Sequence, residues 1–472
     1  MTVSAHIPFL FLSLAGSARA LSATKVPRPS RPINPDGWPE KFPAKDHCSR
    51  CGLCETSYVS NVLDACAFIN GGMKRNIDGL EETVHGRTRC IDNSINGDDS
   101  IAEERRFGVM SRPMMLGRGK VAGAQWTGAV SSIAVSMLES KKVDAVVCIA
   151  TGSDGGWSNP EPILARTVDD VLRGRGVKPA LAPSLRILDE LKSDESIKKL
   201  LYCGVGCSVQ AFRAIEDELG LDKVYVLGTA CADNSPTPKA ARDFLKKGIP
   251  SIGDSNVLAY EFMQDFRVHV KVGDEKSPSY KKLPYFSLEP SVAEFAIADS
   301  CLACFDYTNA LADVVVGYMG APLVDDMDRN MQTITVRNNR GEEMIRCAID
   351  GERLELGGTA RGEGTHEKFA MSTVANDNLV NKMTGGDVKE KGMPPFVGNI
   401  IASIATKLGP KGVAFARYSI DYHILRNYLH CLREFGRDRA DTMIPEYTRV
   451  IIKEYEESDQ AFRDLIDKIE VS

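Results

Sequence analysis

The pattern of apolar and polar positions predicts an α/β core in the middle of the chain. Short apolar runs rich in β-branched residues predict buried strands, and segments with helical spacing alternate with them. The predicted strands are 143–150, 199–203, 224–228 and 314–318. The predicted helices are 124–138, 169–173, 185–191 and 209–219. Repeated strand–turn–helix units indicate an α/β fold with a central mixed, largely parallel sheet.

The remaining periodic segments predict an antiparallel hairpin and a mainly helical C-terminal region. Residues 266–272 and 283–288 alternate around a Gly-Asp-Glu-Lys turn, as hairpin strands do. The segments 396–408, 412–432 and 447–469 have helical spacing, so we expect a helical region over 395–472. Residues 346–394 are rich in glycine, asparagine and charge, which favours a variable loop.

The first 40 residues are typical of targeting segments. An apolar stretch at 7–15 precedes Ala18-Arg19-Ala20, which fits a signal peptide over 1–20 despite the lack of a basic residue before it. Residues 21–31 carry serine, proline and three basic residues with no acid, so 21–40 resembles a transit segment. The two together predict import into the stroma of a complex plastid. A plain secreted protein is the alternative, but oxidising conditions would convert so many cysteines to disulfides.

Composition narrows the class of protein. The chain of 472 residues is 43% hydrophobic and 26% charged, as in a globular protein of two or three domains. A net charge of −6, with no basic run interleaved with aromatic residues, argues against nucleic-acid binding. Thirteen cysteines cluster near glycines, which favours metal ligation in a reducing compartment. Outside residues 1–20 no run of 18 apolar residues occurs, so we expect a soluble protein.

Cys48, Cys51 and Cys54 form a C-x2-C-x2-C motif, with Cys66 downstream as the candidate fourth ligand. This spacing lets one loop turn its thiolates toward a single point, as around an iron–sulfur cube. Gly52 lies where the turn requires a residue that tolerates positive φ. A structural zinc site is the alternative, although zinc sites usually pair two C-x2-C units or add histidines. We therefore predict a [4Fe-4S] cluster here.

A second set of four thiols is Cys207, Cys231, Cys301 and Cys304. The first two follow predicted strands in turn segments, and strand ends are where such sheets bind ligands. A thioredoxin-like redox pair at Cys301 and Cys304 is an alternative, but that motif belongs after the first strand. Single buried cysteines are also often plain small apolar residues. We predict a second cluster, and we assign no ligand role to Cys90, Cys148, Cys203, Cys347 and Cys431.

Two further segments carry candidate chemistry. The glycines and Thr127 at the start of the predicted helix 124–138 are suited to a phosphate at a helix N-terminus, or to loop closure and close packing alone. His423 and His430 lie seven residues apart on one helix face; packing is the more common role of such residues, and proton donation is the alternative.

These motifs together resemble a known family. The matching stretches are 43–54, 65–68, 123–128, 204–207, 260–265, 301–313, 317–320 and 409–412, within a match over about 31–455. The family contains the flavin-binding beta subunit of deazaflavin-reducing hydrogenase. Its 7-hydroxymethyl chlorophyll a reductase and ferredoxin-dependent divinyl chlorophyllide 8-vinyl reductase branch is the most similar. The chain departs from it at Ser208, where glutamine is usual, at Ala230, and across 350–392.

The resemblance implies FAD, two [4Fe-4S] clusters, reduced ferredoxin as donor, and a chlorophyll-type tetrapyrrole as substrate. Residues 395–399 favour 7-hydroxymethyl chlorophyll a; the 8-vinyl group of divinyl chlorophyllide is the alternative, and a non-catalytic electron relay is a further one. Peripheral thylakoid contact and homo-oligomerisation stay open. The implied cofactor-binding residues are Gly123, Gln125, Trp126, Thr127, Gly128, Asn309 and Asp313.

Ferredoxin carries one electron, whereas either reduction takes two, so the clusters would relay electrons and the flavin would accumulate them. Asp306 and Tyr307, beside Cys304, are the candidate proton donors; orienting the Cys301–Cys304 loop is their alternative role. The resulting domain division is an iron–sulfur domain over 41–120, organised by metal more than by an apolar core, and a flavin- and cluster-binding domain over 121–345. The variable loop (346–394) and the helical region (395–472) follow.

Overall fold

A computed structural model describes residues 44–91, 99–152, 156–253, 255–275, 277–324 and 326–471. The predicted signal and transit segments lie outside these residues. The strands are β1 (Met115–Gly119), β2 (Ala145–Thr151), β3 (Pro160–Ala165), β4 (Lys199–Gly204), β5 (Lys223–Thr229), β6 (Val257–Met263), β7 (Arg267–Asp274), β8 (Ser277–Pro284), β9 (Val314–Gly317), β10 (Gln332–Val336), β11 (Leu354–Thr359), β12 (Gly362–Glu363) and β13 (Lys411–Gly412).

Helices flank these strands and dominate the C-terminal region. They are α1 (Val62–Ala65), α2 (Gly72–His85), α3 (Asp99–Phe107), α4 (Ala129–Glu139), α5 (Val168–Arg173), α6 (Leu188–Ser193), α7 (Gly206–Arg213), α8 (Pro238–Gly248), α9 (Ala293–Ala296), α10 (Asp299–Leu302), α11 (Asn339–Asp350), α12 (Glu367–Asn376), α13 (Asn378–Met383), α14 (Pro395–Leu408), α15 (Val413–Phe435), α16 (Arg437–Met443), α17 (Glu446–Ser458) and α18 (Gln460–Val471).

The core is an eight-stranded sheet in the order β11-β1-β10-β9-β5-β4-β2-β3. Its four central strands, β9, β5, β4 and β2, are parallel, and the flanking pairs are antiparallel. The α/β fold with a mixed sheet is thus confirmed, as are the four predicted strands. The edges are antiparallel where connections are short: residues 152–159 between β2 and β3 leave no room for a crossover helix.

Each face of the sheet is covered by apolar side chains from helices. On one face, Ile133 of α4 and Met344 of α11 pack with the sheet residue Val146. On the other face, Phe212 of α7 packs with Leu53 of the N-terminal segment and with sheet residues. Burial of these apolar surfaces is the main stabilising contribution to such a fold.

The N-terminal segment is not organised by metal alone, in contrast to the prediction for 41–120. Leu53 belongs to the core on the sheet, whereas Phe68 and Ile77 belong to a second core with Leu425 of α15. The boundary at 120 also runs through the main sheet, because β1 pairs with β10 and β11. Sequence periodicity missed this packing because the segment is built from short helical turns.

Three further predictions are corrected by the structure. The variable loop at 346–394 instead contains part of α11 together with β11, β12, α12 and α13, and β11 is an edge strand whose glycines and exposed positions give little apolar signal. The hairpin strand at 283–288 is instead β8, which ends at Pro284 before a short 3-10 turn. The helix at 447–469 is instead α17 and α18, because Asp459 accepts hydrogen bonds from the first amides of α18.

The C-terminal region from α14 to α18 is mainly helical, as predicted. Its centre is α15, in which 18 of 23 residues are buried. That burial on all sides explains why its sequence reads as apolar and aromatic rather than amphipathic. Within the described residues, no helix combines the length and apolar character that crossing a bilayer would require.

Candidate redox site

The first cysteine set lies within one short segment: three of its cysteines lie in one loop, and Cys66 directly follows α1. Cys48, Cys51, Cys54 and Cys66 all line a cavity of about 350 Å³. The loop reverses direction through left-handed backbone at two successive turns, with φ of 54° at Arg50 and 91° at Gly52. An added Cβ at Gly52 would lie 3.0 Å from the Arg186 backbone nitrogen. The predicted requirement for glycine at this turn is therefore confirmed.

Backbone amides in this loop point at the sulfur atoms. The Arg50 amide donates to Cys48 Sγ over 3.3 Å. The Leu53 amide donates to Cys51, and the Phe68 amide donates to Cys66. Amide donors to sulfur are among the features that tune an iron–sulfur cluster, so this donor set fits one.

Burial disfavours the thiolate form of the cysteines in the first set. Burial, with added repulsion from neighbouring thiols, raises the pKa of Cys54 to about 12 and holds that of Cys51 well above its usual range. Burial also raises the pKa of Cys48 and of Cys66. Four such thiols become thiolates together only around cations, which the irons of a cluster supply.

The alternative of a single zinc ion can be compared with the arrangement of the described side chains. Among the described residues, no three His, Cys, Asp or Glu side chains are grouped as one metal ion would need. Thiolates on one tetrahedral zinc, each about 2.3 Å from it, lie about 3.8 Å apart. In a cubane each thiolate binds a different iron, which needs a wider arrangement.

The second set is assembled from distant parts of the chain. Cys207 lies in the first turn of α7 directly after β4, and Cys231 follows β5. Cys301 lies in α10, and Cys304 lies two residues beyond that helix. Burial raises the pKa of all four thiols, and nearby Cys207 raises the pKa of the other three further. The four thiols are thus near enough to raise one another's pKa, and their joint binding of one cluster stays a prediction.

Cys207 is the member of the second set that contacts the first loop. Its thiol is also among the groups that raise the pKa of Cys51, and its own pKa is raised in part by Cys66. Ser49 in the first loop forms a hydrogen bond with Cys207. The two four-cysteine sets are thus neighbours, which is the arrangement a two-step electron relay needs.

The predicted proton donors Asp306 and Tyr307 are both buried beside the second set. Tyr307 donates its hydroxyl hydrogen to the Cys304 carbonyl over 2.8 Å. Asp306 accepts from the Ala310 amide and from Gln210, each over 2.7 Å, and burial raises the pKa of its carboxyl. These contacts support the orienting role, and proton donation stays a prediction.

Sequence reasoning missed the residue that fixes the Cys301–Cys304 loop. Asn427 of α15 donates from Nδ2 to the carbonyl oxygens of Cys301 and Cys304 and to the Tyr307 hydroxyl, each over 2.7 Å. The contacts join residues at least 120 positions apart. A lone asparagine inside a long apolar helix carries the only sequence signal, since a buried amide there needs partners.

A buried ion pair stands next to Cys231. Arg426 donates through both terminal nitrogens to Asp233, over 2.9 and 3.1 Å. His423 Nε2 lies 3.4 Å from the same carboxylate, and its ring lies 5.0 Å from that of Tyr307. Arg426 and His423 hold the pKa of the Asp233 carboxyl far below its usual range. By contrast, His430 faces His47, with 3.0 Å between their Nε2 atoms.

The predicted flavin loop lies between β1 and α4. Gly123, Trp126 and Gly128 have φ of 72°, 55° and 74°, so the predicted helix at 124–138 begins only at Ala129. Thr127 Oγ1 accepts from the Gly119 amide over 3.0 Å, which holds the loop to the strand end. A glycine-rich turn before a helix N-terminus fits an approaching phosphate.

Next to this loop lies a carboxyl group that sequence reasoning did not single out. Gln125 donates to Glu261 over 2.8 Å, and the Trp126 side chain also bonds that carboxylate. Burial raises the pKa of Glu261 to about 8. Trp126 stacks on Tyr318, with ring centroids 4.7 Å apart. In the sequence, Glu261 stood out only as part of the stretch 260–265 that carries the family resemblance.

Asn309 and Asp313 have different surroundings from the loop residues. Asn309 adopts φ of 53° and donates to the Gly204 carbonyl over 2.8 Å, at the end of β4. Asp313 is fully buried and pairs with Arg213 and Arg340, each over 2.9 Å. The contacts of Asp313 explain how it joins sheet and helices, and cofactor binding by either residue stays a prediction.

Fold and site together define a mixed α/β protein of the redox class, with two cysteine sets beside a glycine-rich loop. Two family signatures match its sequence, and both describe the beta subunit of coenzyme F420 hydrogenase/dehydrogenase. The signature of the N-terminal part matches residues 114–189, and that of the C-terminal part matches residues 197–361. The chain belongs to this coenzyme F420 hydrogenase/dehydrogenase beta subunit family. The family resemblance in the sequence is thereby confirmed.

Individual relatives are similar over much of the chain. A rice (Oryza sativa) protein named 7-hydroxymethyl chlorophyll a reductase, chloroplastic, is 45% identical over 93% of this chain and 88% of its own length. An uncharacterized Nostoc protein is 40% identical over 88% of this chain and 94% of its own. The beta subunit of coenzyme F420 hydrogenase from Methanococcus voltae is 29% identical over 49% of this chain and 78% of its own.

Proposed function

We propose that this protein is a plastid reductase that converts 7-hydroxymethyl chlorophyll a to chlorophyll a with electrons from reduced ferredoxin. The observation that carries the proposal is the 45% identity to the rice reductase over 93% of the chain. The two adjacent cysteine sets support it, because a donor of single electrons needs a relay.

The overall reaction balances with two electrons and two protons. The C–O bond of the hydroxymethyl group breaks, a methyl C–H bond forms, and the oxygen leaves as water. Two ferredoxins would supply the electrons in succession. FAD, when bound, would store both electrons. Two [4Fe-4S] clusters would provide the path by which the electrons reach it.

The residues of this chain would hold these groups as follows. Cys48, Cys51, Cys54 and Cys66 would bind one cluster, and Cys207, Cys231, Cys301 and Cys304 the other. The loop of Gly123, Gln125, Trp126, Thr127 and Gly128 would approach the flavin, with Asn309 and Asp313 as further candidates. Burial raises the pKa of Glu261 to about 8, which favours the protonated carboxyl near neutral pH. Asp306 and Tyr307 remain the proposed proton donors.

An anaerobic assay tests the reaction. The purified protein is incubated with reduced ferredoxin and either 7-hydroxymethyl chlorophyll a or divinyl chlorophyllide, and the pigments are separated by chromatography. We expect conversion of the first pigment alone. Reduction of the vinyl group instead would favour the alternative reductase, and no turnover of either pigment by cluster-loaded protein would favour a non-catalytic relay.

A second measurement tests the cofactors independently of the substrate. Anaerobic purification should give one FAD and about eight iron atoms per chain, following four thiolates per cube. A protein with iron but no flavin would contradict the reductase and leave the relay.

The proposed location is the plastid stroma. The rice relative is named chloroplastic, and residues 1–40 of this chain have the composition of two successive targeting segments. A fluorescent protein fused behind residues 1–43 should enter the plastid, and deletion of 1–20 should prevent entry. Secretion of the intact fusion would contradict the proposal.

A further inference from the structure

A row of exposed apolar side chains runs along α14. Phe396, Ile400, Ile404 and Leu408 are 70, 57, 51 and 83% exposed. Side chains four residues apart lie on one side of a helix, so these four form a continuous stripe. The buried positions of α14 are the small residues Gly398 and Ala402. A surface helix ordinarily buries its larger apolar side chains, so this outward stripe needs a partner.

Contacts beside and behind the stripe fix the rotation of α14 about its axis. Arg267 of β7 donates to the side-chain and backbone oxygens of Asn399 and to Ser403, over 2.9 to 3.1 Å. A Cβ at Gly398 would lie 2.4 Å from the Ser287 hydroxyl, so the helix approaches its neighbour closely there. Rotating the apolar side inward would break this packing.

The charge next to the stripe in the sequence is mainly positive. Residues 389–411 contain four lysines and one acidic residue, Glu390. Arg417 pairs with Glu103, and Lys411 lies opposite Glu363 in the β12–β13 ladder. Lys391 and Lys407 are exposed and flank the stripe, one before α14 and one in its last turn.

The apolar stripe and the charge beside it help to decide whether its partner is a second copy of the chain or a lipid surface. Two copies of the stripe packed on each other would bring mainly like charges together, because Lys389 and Lys391 outnumber Glu390 at one end and Lys407 stands at the other. Apolar side chains flanked by lysines are instead the pattern of helices that lie in the interface of an anionic lipid surface.

We propose that α14 docks the protein onto membranes that contain anionic lipids, with the stripe inserted among the headgroups and the flanking lysines on lipid phosphates. The biological reason rests on the proposed function, since a chlorophyll with an apolar ester tail resides in lipid. Docking itself is measured without pigment or ferredoxin, so its failure is separate from failure of the reductase proposal.

Vesicle flotation of the anaerobically purified holoprotein tests the proposal. The probes are phosphatidylcholine vesicles with and without phosphatidylglycerol. We expect binding to the anionic vesicles and at least about tenfold weaker binding of the Phe396→Ser, Leu408→Ser double variant. The matched control is Val324→Ser with Val471→Ser, at positions 79 and 89% exposed outside α14, which should bind like the parent. All variants share residues 1–43, so any contribution from them cancels.

Charge reversal tests the proposed contact between the flanking lysines and lipid phosphates. Lys391→Glu with Lys407→Glu should weaken binding to anionic vesicles by about fivefold or more for each lysine. Binding to neutral vesicles should change far less.

Two outcomes would overturn lipid docking. One is equal binding by the Phe396→Ser, Leu408→Ser variant and its control. The other is an oligomer of the parent, measured by light scattering without lipid, that this variant alone dissociates, because the stripe would then be covered by a second copy.

Discussion

The two cysteine sets differ in how the chain builds them. The first lies within 19 residues, Cys48 to Cys66, and one loop with left-handed turns shapes it. The second draws on positions from Cys207 to Cys304 and depends on the ends of two parallel strands, on α10, and on Asn427 from α15. The spacing of cysteines along the sequence therefore largely determines the first set, whereas the second set depends on the whole fold.

The difference predicts unequal sensitivity to remote changes. Remote side chains should disturb the first set less, since its amide donors Arg50, Leu53 and Phe68 all lie within residues 48–68. The second set is surrounded by buried polar contacts between distant elements, and each broken contact leaves a buried group without a partner.

The largest expected effect is loss of a cluster ligand from either set. Cys51→Ser and Cys231→Ser should each abolish ferredoxin-driven turnover and lower iron from about eight to about four atoms per chain. Iron analysis and the pigment assay measure this. Cys347→Ser is the control, because Cys347 bonds only Ser136 and Ser140 among the contacts described. Full turnover by Cys51→Ser would remove the first set from the relay.

The next largest effect is on the free energy of unfolding, which should differ between variants near the two cysteine sets. Arg426→Met removes the bidentate partner of the largely buried Asp233, leaves only His423, at 3.4 Å, among its described partners, and should lower the free energy of unfolding by about 3 kcal/mol. Arg186→Met removes an ion pair with Glu55 beside the first set, where the arginine side chain is 53% exposed, and should cost less than about 1 kcal/mol. Urea unfolding compares them, and equal losses would contradict the contrast.

Gly52 tests the first loop directly. Gly52→Ala forces a side chain into φ of 91° and to 3.0 Å from the Arg186 nitrogen, so we expect a loss of about 2 kcal/mol and weaker iron retention. Gly86→Ala is the control, with φ of 79° and open space around its Cβ, and should cost about 1 kcal/mol. A similar loss in both variants would show that the close contact contributes little.

The smallest effect concerns Tyr307. Tyr307→Phe removes the bond to the Cys304 carbonyl, and we expect a loss of about 1 kcal/mol in unfolding free energy and less than a tenfold fall in turnover. A general acid would be worth about a hundredfold or more. A fall of that size with normal iron content would establish the Tyr307 hydroxyl as a proton donor.

The difference between local and long-range construction also explains which features of the fold could be predicted from the sequence. The strands 143–150, 199–203 and 224–228 were predicted nearly to the residue because buried parallel strands are continuous apolar runs. The start of α4 was placed five residues early because Ala124, Gln125 and Trp126 are all compatible with a helix. Only the left-handed backbone at Trp126 and Gly128 excludes it, and that conformation depends on the tertiary fold.

The cysteine sets were predictable, but their supporting residues were not. A ligand motif has a fixed spacing, whereas Asn427, Arg426 and Glu261 find partners that are between 120 and 193 residues away in the sequence. Similarly, the apolar side chains of the first 40 described residues gave no hint that their partners lie in α15. Such pairings are set by topology rather than by local pattern.

The shared core of the two ends of the chain has a consequence for biogenesis. Phe68 and Ile77 pack with Leu425 and Ile451, more than 340 residues later. During synthesis or import from the N-terminus, this core therefore stays incomplete until the last helices arrive. A chain shortened at its C-terminus would accordingly leave Phe68 and Ile77 without their apolar partners, although the described lining of the cavity at the first cysteine set contains no residue of these helices.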